Sequence, residues 1–433
     1  MIFCCKKSIF SINTHQNQDD FEEKHMSRKK SKKKWVKSRH RVVTFLLRHT
    51  LGVYSRLRYN IKVEKFKEQQ KRPYLILLNH QTAFDQFFVG MAFKGPLYYL
   101  ASEDLFSKGF VSTLIKFLVE PIPIKKQTTD IRAILNCIKV SKEGGTIVIA
   151  PEGNRTYDGK PVYMNPSIVM LARKLNVPIL LFRIEGGYGV HPRWSDVVRR
   201  GKMRGYVSRV LYPEEYKELS DDELFTVISE GLCVNEAKDD GEYRHKKLAE
   251  YLERAMYVCP YCGLSEFESH GDIIECKKCH RQIRHLPNKK LEGVGFDFPY
   301  EFVSDWYDYQ KSFINSLDVT TTTMTDTPIY TDTGRFSEEI VYKKKLLLHK
   351  NVNISLYGDK IIITAEDKET YYLPFGEIST LTVLGKNKLN IYYKDHIYQI
   401  KGGKRFNAIK FVNIFFRHKN ISKGDKNDTF LGL

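Results

Sequence analysis

Two short stretches hold residue types that can do proton chemistry. In Leu77-Leu78-Asn79-His80-Gln81-Thr82-Ala83-Phe84-Asp85, an apolar run ends in a histidine, and an aspartate follows five residues later. On one continuous helix that offset turns the two side chains about 140° apart, so they meet only if His80 lies in a loop and Asp85 in the first helical turn. In that geometry Asp85 accepts the Nδ1 proton, fixes the tautomer and stabilises the imidazolium, leaving Nε2 as general base. No Gly-x-Ser-x-Gly elbow accompanies the pair, so the nucleophile has to be the substrate's own hydroxyl. The competing structural reading makes His80 the end of a strand and Asp85 a helix cap. The second stretch is Pro151-Glu152-Gly153-Asn154-Arg155-Thr156, a turn with a carboxylate, a residue without a side chain and a guanidinium within four positions. A guanidinium suits bidentate phosphate binding, and glycine permits close backbone approach to a ligand.

Both stretches follow strand-like runs, and these belong to a longer alternation. Tyr74–Leu78, Leu97–Ala101, Thr146–Ala150 and Pro178–Arg183 read as strands, while 84–94, 107–119, 128–142 and 164–175 carry helical periodicity. This order predicts an α/β domain with a mostly parallel sheet flanked by helices, assigned to residues 58–241. A connecting helix is expected at 242–257, and a linker at 285–337, where Thr, Ser and Asp accumulate. From 338 to 433 short β-type runs separated by turn residues precede an amphipathic helix near 404–417. That element order resembles a pleckstrin-homology-like β domain with a C-terminal helix, which by itself assigns no ligand.

Four of the eight cysteines stand as Cys259-x-x-Cys262 and Cys276-x-x-Cys279. Paired knuckles of this spacing are the ligand set of a structural Zn2+ site, which places a small zinc ribbon at 258–284. His280, beside Cys279, is expected at the surface.

With 70 Lys+Arg against 51 Asp+Glu, the formal net charge is +19. Thirteen Lys/Arg and no acid lie between Met26 and Val63, so the excess belongs largely to one arm. Residues 1–34 read as a disordered basic arm in which translation starts at Met1 or at Met26. Residues 35–57 follow, with Val43, Leu46, Leu47, Leu51, Tyr54 and Leu57 at helical spacing: a basic amphipathic helix suited to an anionic membrane surface. Mean hydropathy is −0.41, and no apolar window is long enough to span a bilayer, so a channel or transporter is excluded.

Together, His80-x4-Asp85 and, about 70 residues later, Pro151-Glu152-Gly153-Asn154-Arg155-Thr156 resemble the glycerolipid acyltransferases, especially the lysophosphatidic acid acyltransferases, over roughly residues 60–215. The resemblance implies that His80 is the base and Asp85 its orienter. It assigns Glu152, Gly153, Arg155 and Thr156 to the glycerophosphate, with Lys126 as a second phosphate cation, and Val177-Pro178-Ile179 to an apolar block. Asn154 stands where the family usually has Thr, and Lys125-Lys126 where it usually has Arg. The implied activity is transfer of an acyl chain from acyl-CoA or acyl-carrier protein to the sn-2 hydroxyl of 1-acyl-glycerol-3-phosphate, giving phosphatidic acid in phospholipid biosynthesis. The implied location is the cytoplasmic face of a membrane, peripherally bound, with a lysophospholipid as acceptor and no specific nucleic acid as partner. An alternative keeps the chemistry with another lysophospholipid or glycerol-phosphate acceptor. A second alternative is a non-enzymatic nucleic-acid- or ribosome-binding zinc-ribbon protein.

Overall fold

The computed structural model describes residues 34–67, 73–106, 109–124, 130–340, 345–424 and 430–432. The expected basic arm up to residue 33, and Lys126, lie outside the described residues.

The first sheet runs in the order β1-β7-β6-β2-β5-β3-β4, with β1 Ile61–Val63, β2 Leu75–Leu78, β3 Leu97–Ser102, β4 Ile122–Ile124, β5 Thr146–Ile149, β6 Ile179–Glu185 and β7 Met203–Leu211. Every pairing is parallel except β6 with β7. β2 and β5 are apolar at almost every position because both sheet faces are covered. Leu75, Leu77, Ile147 and Ile149 join one core with residues of the helices Ile131–Lys142, Ser167–Leu175 and Asp221–Leu232. Ile76, Leu78 and Val148 face the opposite core with the helix Asp85–Ala92. Each fully buried aliphatic side chain contributes about 1.5–3 kcal/mol, so the sheet centre is the least deformable place on which to seat reactive groups.

The N-terminal helix, Ser38–Tyr59, buries its small and polar positions, with Gly52 against Met91 of the helix Asp85–Ala92. Its large apolar side chains Phe45, Leu46, Val53 and Leu57 point outward. A second helix, Phe110–Leu118, exposes Phe110, Val111, Leu114 and Phe117. The two are tied by Arg39, whose Nε donates to the Phe117 carbonyl at 3.0 Å and whose guanidinium lies 4.1 Å from the Phe117 ring centre.

Residues 242–257 are not the expected helix: only Leu252–Arg254 forms a 3-10 turn. Tyr251 adopts a left-handed φ of 72°, and backbone groups find partners elsewhere, Ala249 N on the Gly271 carbonyl and Tyr251 N on Ser269 Oγ. The helical spacing of Leu248, Leu252 and Ala255 therefore reflects burial of an irregular strap. Nor is 285–337 a linker. It carries the helix Val303–Ser316, whose buried Gln310 accepts from Tyr257 N and Val258 N, and whose Trp306 Nε1 donates to the Val258 carbonyl.

The ribbon forms a two-stranded pair, β8 Val258–Cys259 with β9 Gly263–Leu264, and a four-stranded antiparallel sheet of β10 Phe267–His270, β11 Ile273–Cys276, β12 Gln282–His285 and β13 Leu291–Gly293. The C-terminal domain is a seven-stranded antiparallel sheet in the order β17-β16-β15-β14-β20-β19-β18, with β14 Tyr330–Glu338, β15 Leu346–Leu356, β16 Lys360–Ala365, β17 Thr370–Pro374, β18 Ile378–Leu384, β19 Lys388–Tyr393 and β20 His396–Gly402. The helix Ile409–Ser422 packs across its β18 edge, Phe415 against Phe375. Strand β14 begins inside the segment expected to be linker; its exposed Thr331 and Thr333 follow buried Tyr330, and Phe336 and Ser337 are both buried further along.

Candidate active site

β2 ends at Leu78 and the next helix begins at Asp85, so residues 79–84 form the connecting loop. Asn79 anchors that loop to the sheet: its Nδ2 donates to the Ile184 carbonyl at 2.8 Å and its Oδ1 accepts Ile184 N at 2.7 Å. His80 Nδ1 then lies 2.7 Å from Asp85 Oδ2. Asp85 is buried and also accepts Gln81 N at 2.7 Å, Thr82 N at 2.8 Å and Thr82 Oγ1 at 2.8 Å. A carboxylate with every lone-pair direction engaged is locked in orientation, and it locks the imidazole in turn, with the proton on Nδ1. Nε2 is then the nitrogen that can take a substrate proton.

The turn after β5 reaches the same place. Glu152, assigned by the resemblance to the glycerophosphate, has an Oε2 that accepts the backbone N–H of His80 at 2.9 Å, joining the two turns. Burial pushes the Glu152 carboxyl up to about 8, with the His80 amide opposing. His80, Glu152, Gly153 and Asn154 line a cavity of about 660 Å3. Gly153 holds a φ of 65° with open space where a Cβ would stand, so its need for glycine is conformational.

A family model described as Acyltransferase matches residues 60–185. That segment is similar to the acyltransferase family. The 1-acyl-sn-glycerol-3-phosphate acyltransferase of Bacillus subtilis (strain 168) is 22% identical over 136 residues, covering 31% of this chain and 65% of that protein, so the chain spans just under two thirds of its length. The crystal structure of the 1-acyl-sn-glycerophosphate (LPA) acyltransferase PlsC from Thermotoga maritima aligns with 21% identity and a TM-score of 0.39, covering 50% of this chain and 86% of that one. The solution structure of the N-terminal PH domain of human ARAP2 aligns at 17% identity with a TM-score of 0.17, covering 21% of this chain and 81% of that one.

The domain built on the first sheet treats the remaining expected residues differently. Arg155 is buried and absent from the cavity wall, and its Nη1 has no hydrogen-bond partner among the described residues. Burial, then Arg193, lowers it to about 10, while Asp85 favours its charge. Thr156 Oγ1 donates to Asp158 Oδ1 and accepts from Asp158 N and Gly159 N, closing a local turn away from the cavity. Gly186-Gly187 packs behind the 79–84 loop, where a Cβ on Gly187 would stand 2.4 Å from the Gln81 Cβ. Glu236 accepts both Gly186 N and Tyr188 N. His191, enclosed near Tyr59 and Lys386, is pushed down to about 3 by burial and then by Lys386, which leaves it a neutral ring.

Sequence reasoning missed the contribution of the C-terminal domain. Ser379, Thr380, Phe416, Lys419 and Phe430 form one wall of the cavity that holds His80. Lys386, in the β18–β19 turn, donates to the Ser195 carbonyl at 2.6 Å and to Asp196 at 2.8 Å, and Arg193 reaches the Val383 carbonyl at 3.1 Å. No local pattern signals an apposition of segments 190 or more residues apart.

In the ribbon, Cys259 and Cys279 Sγ are 3.7 Å apart, Cys262 and Cys276 Sγ 3.5 Å, and all four Sγ atoms lie within 4.8 Å of one another. Four thiolates about 2.3 Å from one tetrahedral ion would be separated by about 3.8 Å, so the residues present fit Zn2+. His280 is exposed, pairs with Glu275 and stays outside the set, as expected.

Proposed function

We propose that the protein is a membrane-associated O-acyltransferase moving a fatty acyl chain from an acyl thioester, on CoA or acyl-carrier protein, to the sn-2 hydroxyl of 1-acyl-glycerol-3-phosphate. The observation that carries this reading is the His80–Asp85 pair at 2.7 Å, its carboxylate saturated, opening on a cavity of about 660 Å3. His80 Nε2 removes the hydroxyl proton as the oxygen bonds to the thioester carbonyl carbon. The tetrahedral intermediate collapses by breaking the C–S bond, and the departing thiolate takes the proton from the imidazolium, restoring neutral His80. Among the described residues the hydroxyl beside the pair, Thr82 Oγ1, donates to Asp85 Oδ1 and accepts Phe84 N, so it is engaged in the loop, which favours direct attack by the substrate hydroxyl over an acyl-enzyme. Zn2+ on Cys259, Cys262, Cys276 and Cys279 is proposed as a structural staple, since the ribbon lines no part of the catalytic cavity among the described residues.

A lipid acceptor requires access from a bilayer, and among the described residues no helix is long and apolar enough to cross one. The outward residues Phe45, Leu46, Leu57, Phe110 and Phe117 form a large exposed apolar surface beside a basic segment, the composition of an interfacial anchor. Replacing Phe45 and Phe117 by Glu should weaken sedimentation with anionic liposomes at least tenfold, with the melting temperature little changed. The function itself is tested by incubating the protein with labelled oleoyl-CoA or oleoyl-carrier protein and lysophosphatidic acid on anionic vesicles. Labelled phosphatidic acid is expected. Salt-sensitive RNA binding with no transfer to any lysolipid would replace this reading with the nucleic-acid one.

A further inference from the structure

An acceptor carrying a phosphate needs a fixed cation in the cavity, and the motif arginine does not supply one, because Arg155 is enclosed behind the wall. Among the described lining residues the one Lys or Arg is Lys419, on the C-terminal helix Ile409–Ser422. Its Nζ lies 5.7 Å from the Phe415 ring centre and 5.9 Å from that of Phe416, and among the described residues it makes a single long bond, 3.3 Å, to the Ser379 carbonyl. Two of its three protons are therefore available to a ligand by that count. Desolvation, then Lys423, holds the ammonium below the usual lysine range, a cost that an incoming anion would relieve. The negative groups in the same wall are limited. Asp130 caps the helix Ile131–Lys142 through Ala133 N, and Glu152 keeps its proton to about pH 8. The Ser167 end of the helix Ser167–Leu175 also faces the cavity and adds positive potential.

Resting on the acyltransferase reading, we infer that the C-terminal domain completes the substrate site, with Lys419 binding the phosphate of the lysophospholipid acceptor. The apolar part of the same wall, Phe416 and Phe430 with their rings 5.3 Å apart, faces the lipid chain. The C-terminal domain thus acts as an acceptor-specificity element.

The test separates binding from turnover. In full-length His80→Ala protein, affinity for monodisperse 1-oleoyl lysophosphatidic acid and for 1-oleoylglycerol, which lacks the phosphate, is measured with Lys419 intact, as Lys419→Met and as Lys419→Arg. Methionine keeps an unbranched side chain of similar reach and removes the charge. Lys419→Met should weaken lysophosphatidic acid at least tenfold, the worth of one charge-assisted hydrogen bond, leave oleoylglycerol within about twofold, and be rescued by Lys419→Arg. Unchanged lysophosphatidic acid affinity, an equal loss for both lipids, or a loss seen with Lys126→Met alone would overturn the assignment. The same variants on the His80 background are assayed for acyl transfer. Selective binding without any transfer would sink the acyltransferase reading while sparing the anion site, and transfer indifferent to Lys419→Met would do the reverse.

Discussion

The turns after β2 and β5 are neighbours on adjacent parallel strands, yet they treat their charged residues in opposite ways. After β2, His80 opens on the cavity and its partner Asp85 is saturated with donors. After β5, Arg155 is enclosed, with one guanidinium nitrogen unpartnered among the described residues, and its carbonyl is held by Arg193 at 2.9 Å. A proton-transfer group must reach substrate to work, whereas an enclosed cation cannot touch one; the nearby Asp85 carboxylate favours the charge on Arg155. Two motif blocks of equal prominence in the sequence thus divide into contact and support. Glu152 bridges them through the His80 amide.

The sharpest way to break this division is at the contact residue. His80→Ala should lower the rate of acyl transfer by about a thousandfold or more while leaving the melting temperature close to wild type, measured by initial rates and thermal unfolding. Far from both turns, Cys276→Ser should lower the melting temperature by roughly 10 °C through loss of the metal staple, with kcat per folded molecule preserved. Zinc content by mass spectrometry checks its cause. Arg155→Gln should reduce kcat about tenfold with the acceptor KM changed less than twofold, the signature of support; a large rise in KM alone would move Arg155 into the contact class.

The smallest effect lies at the bridge. The native Glu152 carboxyl keeps its proton up to about pH 8, whereas an exposed one loses it near 4.5. Between those values the folded state binds more protons than the unfolded state, so this group's contribution to stability falls as pH rises and is fully lost above about 8. Glu152→Gln removes that loss. Thermal scans at pH 5 and pH 8.5 should show the variant gaining a few degrees relative to wild type at the higher pH.

Much of this arrangement was legible beforehand because it is local. The continuous apolar runs at Leu75–Leu78 and Thr146–Ile149 are what a doubly covered parallel strand requires, and the five-residue offset from His80 to Asp85 admits one meeting geometry. The same local logic misread 242–257, where spacing that suits a helix instead serves a strap broken at Tyr251. It also hid strand β14, whose Thr331 and Thr333 are good strand formers but read as linker beside Asp332 and Gly334. Lys419 and Phe430 could not be placed at the site, since their proximity to His80 arises from the packing of two domains.

The most direct test of the central claim is acyl transfer from labelled oleoyl-CoA to lysophosphatidic acid on anionic vesicles, with wild type beside His80→Ala and Asp85→Asn, each first shown to be folded. The account predicts phosphatidic acid from wild type, none above background from His80→Ala, and a strongly reduced rate from Asp85→Asn. Transfer by His80→Ala at the wild-type rate would contradict it.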